Sequence, residues 1–250
     1  MEVSDIIKKI KEKKELKNLD DKLILEKIKN YFCRYPKLEK QVLISNKKSD
    51  IFKKIVKNLR NELNRIYGCF NLNNNFNLES NSSTKERINI YPILYKDIFR
   101  ITGKPQIIVD LSCGLNPLSY KYIKFKCKYV VSELNKTDCV KLENYFKENY
   151  INGVVLQIDL TKENKIPSGD VCFLFKVLDS IENKGHKLAE RLINNIRSRY
   201  IVVSFSTKTL NNKNMKYPRR TWFEVMLNRL KIKYQKLIYE NEIFYIISKE

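Results

Sequence analysis

The second half of the chain alternates between short apolar segments and segments of helical periodicity. The apolar segments have the length and composition of strands and cover residues 107–111, 129–133, 154–159, 171–176, 200–205, 233–239 and 243–248. Helical patterns lie between several of them, at residues 137–150, 189–198 and 221–230. This alternation is typical of a parallel sheet with helices on both faces, and the polar turn 240–242 between the last two strands predicts a hairpin. We therefore predict an α/β fold with a mostly parallel, seven-stranded, Rossmann-like sheet that ends in an antiparallel hairpin.

The first part of the chain predicts a helical module instead. Apolar residues recur at helical spacing in three stripes, namely Ile6, Ile7 and Ile10, then Leu23, Ile24, Ile28, Tyr31 and Phe32, then Ile51, Ile55, Leu59, Leu63 and Ile66. The Asn-rich segment 71–81 predicts a linker, after which a helix is expected from Ser82 to about Ile101. Ser83 and Glu86 have capping-box spacing at its start. We therefore divide the chain into a helical module, residues 1–81, and an α/β domain, residues 82–250.

The chain carries a large excess of positive charge. Its 49 Lys and Arg against 28 Asp and Glu give a formal net charge of +21. An AT-biased genome would enrich Lys, Ile and Asn, but it would also enrich Glu, so it does not explain the imbalance. Clustered Lys and Arg bind phosphates by releasing counterions, and lysines crowd the polar faces of the predicted N-terminal helices. The charge predicts a nucleic-acid partner, with a merely basic surface as the alternative.

Other classes of protein are disfavoured by what the sequence lacks. The six cysteines form no CxxC pair, and His186 has no ligand-like neighbours, so we expect no metal site. The first ten residues are charged and amphipathic, unlike a signal peptide, and no run of 18 apolar residues exists. We therefore expect a cytoplasmic protein with free thiols, no membrane association and, by default, a monomeric state.

The most informative loop follows the first predicted strand. Val109-Asp110-Leu111-Ser112-Cys113-Gly114 ends a buried strand with an acid and a turn of small residues, which allows backbone amides to approach a ligand closely. The loop lacks GxGxxG, and the chain has no GxxxxGK[ST] motif. A dinucleotide and a P-loop nucleotide are therefore disfavoured, and a ligand without phosphates is favoured.

Polar residues also end the next three predicted strands. An acid such as Glu133 at the end of the second strand of such a sheet normally accepts hydrogen bonds from ribose hydroxyls, with a simple surface carboxylate as the alternative. Asp159 can reach an adenine amino group, with Leu160 against the ring, or can instead cap a helix. Lys176 ends the fourth strand. Because ligands of open α/β sheets bind at the carboxyl ends of the strands, these residues predict one site.

Several longer segments carry a family resemblance. They are Ser82-Ser83-Thr84-Lys85-Glu86-Arg87, Cys113-Gly114-Leu115-Asn116-Pro117-Leu118, Phe175-Lys176-Val177-Leu178 with Ile181-Glu182, Val203-Ser204-Phe205-Ser206-Thr207-Lys208-Thr209-Leu210, Trp222-Phe223-Glu224 and Asn241-Glu242-Ile243-Phe244-Tyr245. They resemble the 16S ribosomal RNA (guanine-N7) methyltransferases of the aminoglycoside-resistance type. The resemblance implies a class I fold dependent on S-adenosyl-L-methionine (SAM), SAM as cofactor, 16S rRNA of the small ribosomal subunit as partner, and an N-terminal module that docks on that subunit.

The resemblance and the strand ends together suggest a set of site residues. Expected cofactor contacts are Thr84, Arg87 (against the SAM carboxylate), Asp110, Ser112, Cys113, Gly114, Asn116, Pro117, Glu133, Leu134, Asp159, Leu160, Lys176 and Val177. Expected catalytic residues are Lys176, Phe205 and Lys208. Expected RNA contacts are Lys208, Lys213, Lys216, Arg219, Arg220, Trp222 and Tyr245. Core packing is the alternative for the aromatic side chains, including Phe205, and a simply solvated loop is the alternative for the basic residues from Lys213 to Arg220. The chain departs from the family at Ser119-Tyr120-Lys121-Tyr122, which replaces LPW, at Asn135, which replaces an acid, and at Asp179 and Ser206, which replace prolines.

The residues present are consistent with guanine N7 as the atom that accepts the methyl group. Guanine N7 is a lone pair on the major-groove edge, so its methylation needs placement of the base and no prior removal of a proton. Two alternatives stay open. One is a different rRNA base, such as a cytosine exocyclic N4, and the other is a non-catalytic RNA-binding ribosome-assembly factor with a methyltransferase fold.

Overall fold

The structure is a computed structural model that describes residues 2–64, 76–162, 165–182, 185–208, 215 and 218–249. The chain divides into two compact units. The first contains residues 1–71 and 135–138, and the second contains residues 72–134 and 139–250. No helix among the described residues is long and apolar enough to cross a membrane.

The described N-terminal part of the first unit, residues 2–64, contains four helices. They are α1 (Val3–Lys11), α2 (Asp21–Arg34), α3 (Pro36–Ile44) and α4 (Asp50–Leu63), with a 3-10 turn at Lys14–Leu16. Local chemistry sets their starts, because Asp20 caps α2 by accepting from Lys22 N at 2.9 Å and Ser49 caps α4 by accepting from Phe52 N at 3.3 Å. Proline stands in the first turn of α3, where no backbone donor is needed.

The core of this unit corrects one predicted stripe. Along α4 the buried side chains are Phe52, Ile55, Val56, Leu59 and Leu63, while Ile51 is exposed. The buried stripe therefore begins at Phe52, one residue after Ile51, where the sequence placed its start. Burying Phe52 and Val56, which are four residues apart, turns Ile51 outward on a helix. Ile66, the last residue of that stripe, lies outside the described residues.

The second unit is built on one seven-stranded sheet. Its strands are β1 (Ile107–Leu111), β2 (Lys128–Glu133), β3 (Gly153–Gln157), β4 (Gly169–Phe175), β5 (Ser198–Ser206), β6 (Lys233–Ile238) and β7 (Glu242–Ser248). Their order is β3-β2-β1-β4-β5-β7-β6, with parallel pairing from β3 through β5 and antiparallel pairing of β7 with both β5 and β6. The predicted fold class is confirmed.

Helices cover both faces of this sheet. They are α5 (Ser82–Arg87), α6 (Tyr91–Thr102), α7 (Lys136–Glu148), α8 (Leu178–Ile181), α9 (Lys187–Asn195) and α10 (Thr221–Arg229). Alternation along β1 sends Ile108 into a core with α6, and Val109 and Leu111 into a second core with α9 and α10. The chain order reverses between β1 and β4, which lie side by side, and this is where ligands of open α/β sheets bind.

The helix predicted from Ser82 to Ile101 is wrong as a single element. It is two helices, α5 and α6, separated by a turn at residues 88–90. Pro92 lies in the first turn of α6, where it fits, whereas inside a continuous helix it would remove a hydrogen bond and clash with the preceding turn. The predicted capping box is also wrong, because Asn81 caps α5 by accepting from Ser83 N at 2.9 Å. Glu86 is thereby left for another partner.

Candidate active site

The loop after β1 is fastened to the end of β2. Ser112 and Gly114 both have positive φ, 49° and 54°, which turns the chain sharply. Cys113 N donates to Ser132 O at 3.0 Å, and Gly114 N donates to Glu133 Oε1 at 2.6 Å. The predicted small-residue turn is therefore a fixed loop at the carboxyl edge of the sheet.

Of the two acids predicted to meet a nucleoside, Glu133 contacts this loop, and Asp159 stands at the end of the neighbouring strand β3. Both oxygens of Glu133 accept backbone bonds, from Gly114 N and, at 3.1 Å, from Leu134 N. Asp159 follows β3 and accepts from Thr161 N at 2.9 Å and Thr161 Oγ1 at 2.6 Å. Burial raises the pKa of Asp159, but the bonds from Thr161 and the nearby Lys162 outweigh it and leave that pKa below its usual value. Asp159 thus shapes its own turn, in keeping with the capping alternative.

Asp110 is placed differently from the prediction. Its side chain is buried within β1 and points toward the α6 side of the sheet, where Tyr129 OH donates to Oδ2 at 2.6 Å and Asn116 Nδ2 donates to the same atom at 2.7 Å. Burial raises the pKa of Asp110 to about 6. A direct contact between Asp110 and a ligand at the edge does not fit this placement. Its structural role is to hold Asn116, the first residue of the 3-10 helix that follows the loop.

Four charged side chains meet where α5, β4 and β7 converge, and we call them the ion cluster: Glu86, Arg87, Lys176 and Glu242. Arg87 Nε lies 2.8 Å from Glu242 Oε2, and Lys176 Nζ lies 2.6 Å from Glu86 Oε2 and 3.5 Å from Glu242 Oε2. Ser204 Oγ also donates to Glu242. The cluster thus brings together two predicted cofactor residues, Arg87 and Lys176, and two carboxylates that were not among the predicted site residues.

The two cations of the ion cluster differ in how a ligand can reach them. The Arg87 side chain is only 2% exposed; its guanidinium stacks on the Phe175 ring at 5.0 Å and bonds to Ser83 Oγ at 3.3 Å and Asn116 Oδ1 at 3.4 Å. Desolvation disfavours its charge, but Glu242 outweighs this and keeps the pKa of Arg87 above its ordinary value. Lys176 is 13% exposed. Of the two, Lys176 is the cation that a ligand at the sheet edge meets first.

Lys176 is also set in an unusual backbone conformation. Its φ is +58°, a left-handed value that is uncommon for residues other than glycine. The turn is secured because Lys176 N donates to Ser204 Oγ at 3.0 Å and to Ser204 O at 3.1 Å. Strained conformations of this kind persist where the surrounding structure fixes them, often at functional sites. Here the left-handed backbone conformation directs the Lys176 side chain toward Glu86 and Glu242.

The remaining predicted cofactor residues are half-buried or buried. Thr84 is buried and donates to Leu78 O at 2.6 Å, so its hydroxyl ties α5 to the 3-10 turn that precedes it. Half-buried positions are Ser112 and Leu134, and buried positions are Cys113, Gly114, Asn116, Pro117, Leu160 and Val177. Burial raises the pKa of the Cys113 thiol well above its usual value, which makes it an unreactive packing group.

The aromatic residues predicted on the RNA side lie largely in the core. Phe205 and Tyr245 are fully buried, so a direct base contact does not fit either ring, and the prediction is corrected here. Their rings pack edge-to-face with Phe223 at 5.1 and 5.3 Å, since alternation along β5 and β7 turns both inward. Trp222 is half-buried and stacks on His186 at 3.9 Å. Sequence reasoning assigned His186 no role.

The cations predicted to contact RNA are held in different ways. Arg220 is only 11% exposed; it pairs with Asp179 at 2.7 Å and donates to Ser206 O at 3.1 Å, so it ties its own loop to α8 and β5. Arg219 is 63% exposed and pairs with the buried Glu224. Lys208 is half-buried, 3.4 Å from Glu240. Lys213 and Lys216 lie outside the described residues.

Sequence reasoning missed Glu242 although it quoted the motif that contains it. The signal was present, because Glu242 begins an otherwise apolar strand, Ile243-Phe244-Tyr245-Ile246-Ile247. A carboxylate at the start of such a strand needs a partner on folding. Among the described residues, no group of three or more His, Cys, Asp and Glu is arranged to hold a metal ion.

Comparison with known proteins finds relatives of the kind that the motifs indicated. A 16S rRNA (guanine(1405)-N(7))-methyltransferase of Micromonospora rosea is 29% identical over 175 residues, and one of Proteus mirabilis is 27% identical over 183 residues. These alignments cover 67% and 69% of this chain but only 62% and 64% of the relatives, so the chain spans less than two thirds of the length of these curated proteins.

Solved structures share the fold over the whole chain. The 16S rRNA methylase RmtB superposes with a TM-score of 0.76 at 21% identity, covering 100% of this chain and 99% of RmtB. The 16S rRNA methyltransferase RmtF, solved with S-adenosyl-L-homocysteine, gives 0.77 at 16% identity and covers 100% of both chains. At these identities the likeness shows a class I methyltransferase fold.

The match to a family model is longer than the alignments to the two curated relatives. The model of the ribosomal RNA methyltransferase (FmrO) family matches residues 53–246, more than three quarters of the chain and nearly all of the sheet described above. The resemblance drawn from the sequence motifs is confirmed, and the chain belongs to the ribosomal RNA methyltransferase (FmrO) family.

Proposed function

We propose that the protein transfers a methyl group from SAM to a base of 16S rRNA in the small ribosomal subunit, with guanine N7 as the acceptor. The observation that carries the proposal is the order of charges along the carboxyl edge of the sheet. Glu133 is the last residue of β2, and Asp159 follows β3. A cation, Lys176, follows β4, on the other side of the reversal point between β1 and β4.

This order fits the shape of SAM. Its nucleoside end carries hydroxyl and amino donors, which suit carboxylate acceptors, and its methionine end carries a carboxylate, which suits Lys176 backed by Arg87. The turn at Ser112 and Gly114 keeps side chains away from the space between the two ends, because nothing lies within 4 Å of an added Cβ at Gly114. When bound, SAM supplies a methyl group on a cationic sulfur.

The chain's own residues then have to place the two reactants. Guanine N7 needs no proton removed, so no general base is required. Lys176 and the loop after β1 orient the cofactor, and Lys208 and Arg220 lie at the carboxyl end of β5, on the same edge of the sheet. Placement of this kind lowers the activation barrier, because the reactants have already lost their translational and rotational freedom when they are bound.

The basic surface supports an RNA substrate. Exposed lysines stand on the polar faces of α1 and α4, and Arg219 is exposed beside α10. We propose that residues 1–81 dock on the small subunit and that residues 82–250 carry the catalytic site. We further propose that the protein acts as a monomer in the cytoplasm, without a membrane.

Two measurements test the proposed function. Calorimetry with SAM should show binding at micromolar concentration, and its absence would favour the non-catalytic assembly factor. Mass spectrometry of nucleosides from small subunits incubated with the protein and SAM should show 7-methylguanosine. Detection of a methylated cytosine in its place would rule out the guanine-N7 acceptor.

The docking role of the first unit gives a separate prediction. Lys54 and Lys57 are exposed on α4, so Lys54→Gln with Lys57→Gln should weaken binding to small subunits. Each lost phosphate contact lowers the slope of log K against log salt by roughly 0.7 to 0.9, so the double variant should have a slope shallower by up to about 2. Filter binding over a salt series measures this. SAM affinity should not change, and an unchanged slope would show that this face does not meet RNA.

A further inference from the structure

Lys176 has two carboxylates within reach, and they are held very differently. Glu242 is 1% exposed, lies 3.5 Å from Lys176 Nζ, and already pairs with Arg87 Nε at 2.8 Å. Glu86 is 31% exposed and lies 2.6 Å from Lys176 Nζ. Lys176 is the only side chain that Glu86 bonds among the described residues. One carboxylate is therefore fixed and the other is free to exchange.

The balance of charges in the ion cluster decides which of the two carboxylates a ligand can replace. Two cations, Arg87 and Lys176, are balanced by two carboxylates, Glu86 and Glu242. A ligand carboxylate at Lys176 would be a third negative group in a partly buried site, where like charges repel strongly. One carboxylate has to leave. Removal of Glu242 would leave Arg87 buried without a counter-ion, which is strongly unfavourable, whereas Glu86 can turn to solvent.

We propose that Glu86 is the exchangeable counter-ion of Lys176, and that the carboxylate of the methionine part of SAM replaces it. This inference rests on the proposed function. Glu86 acts through Lys176 and is therefore a positioning residue. It holds the ammonium group at the end of β4 before the cofactor arrives, and it competes with the cofactor for the same group.

The competition can be measured with two ligands. We expect Glu86→Gln, which keeps the size and removes the charge, to bind SAM about two- to five-fold more tightly than the wild-type chain, as expected for one partly exposed ion pair. 5′-Methylthioadenosine shares the nucleoside and sulfur of SAM but lacks the amino-acid part. Its affinity should be the same in both proteins. Isothermal titration calorimetry on the full chain gives both values.

A double-mutant cycle separates exchange at Lys176 from a general effect. In a Lys176→Met background, Glu86→Gln should no longer change SAM affinity. Glu190→Gln is the matched control, because Glu190 pairs with the exposed Arg229 on the surface. It should leave the affinity for both ligands unchanged. In turnover of small subunits, Glu86→Gln should lower KM for SAM without lowering kcat.

The outcomes distinguish the inference from the function beneath it. Equal SAM affinity in wild type and Glu86→Gln overturns the exchange. Weaker SAM binding in Glu86→Gln also overturns it and assigns Glu86 to the α-ammonium group of SAM instead. Failure of the wild-type chain to bind either SAM or 5′-methylthioadenosine overturns the proposed function itself. Glu86→Ala, with unfolding followed by circular dichroism, repeats the test should the first variant be misfolded.

Discussion

Replacing Glu242 by Gln is expected to lower the free energy of unfolding by about 3–5 kcal/mol, the loss that is typical when one partner of a buried ion pair is removed. Arg87 would keep its charge, because its pKa is far above neutrality, and it would remain buried over Phe175 with only neutral partners. Lys176 would lose its second carboxylate as well. The variant therefore leaves the buried charge of Arg87 without a counter-ion and leaves Lys176 with one carboxylate partner instead of two.

Urea unfolding at neutral pH measures this loss, and the surface variant Glu190→Gln is the control. Glu190 pairs with Arg229 at 2.6 Å, close to the Arg87–Glu242 distance, but the Arg229 side chain is 60% exposed. Exposed pairs of this kind contribute about 0–1 kcal/mol. A loss of similar size in both variants would contradict the structural role of Glu242. A smaller loss in Glu242→Asp than in Glu242→Gln would support the charge as the cause.

The strand ends could be predicted from the sequence because the signals that mark them are local. Glu133, Asp159 and Lys176 each follow an apolar segment, and the parallel sheet brings such ends to one edge. The turn role of Asp159 was visible in the same way. Thr161 stands two residues later, the spacing at which an aspartate accepts from the following backbone.

The ion cluster could not be predicted, because its members are far apart in the chain. Arg87 and Glu242 are separated by 155 residues, and they meet only because β7 inserts between β5 and β6. The hairpin was predicted from its turn, but its position in the sheet was not. The same limit applies to the burial of Tyr245 and Phe205, since their inward direction depends on which helices cover that face.

The departures from the family pattern at Ser119 and Tyr122 have a packing explanation. Tyr95 OH lies 2.6 Å from Ser119 Oγ, and the Tyr122 ring stacks on Tyr91 at 5.8 Å. Both partners stand on α6, so the substituted segment fastens this helix to the loop after β1. The sequence showed that the segment differs, whereas only the three-dimensional contacts show that α6 supplies complementary tyrosines.

Asp110 leads to the second large effect, a pH dependence of stability. Its pKa is about 6 in the folded protein because it is buried, against 3.8 for an ordinary aspartate. Between these values the folded state binds a proton that the unfolded state has released. Stability contributed by this group is therefore present below the lower value and is lost as pH rises through the window. Burial raises the pKa of the neighbouring groups Tyr129, Tyr95 and Cys113 away from this window.

Asp110→Asn should remove this dependence, because asparagine stays neutral and can still accept from Tyr129 and Asn116. The difference between the two pKa values corresponds to about 3 kcal/mol. Part of this effect lies below pH 4, so the unfolding free energy of the variant, minus that of the wild type, should rise by about 2.4 kcal/mol from pH 4 to pH 7.5. Urea titrations across that range measure it, with Asp50→Asn, which removes a 99% exposed carboxylate, as the control for lost charge. Parallel curves for wild type and Asp110→Asn would mean that Asp110 carries the same charge in the folded and unfolded chain, and that the Tyr129 and Asn116 bonds fully offset its burial.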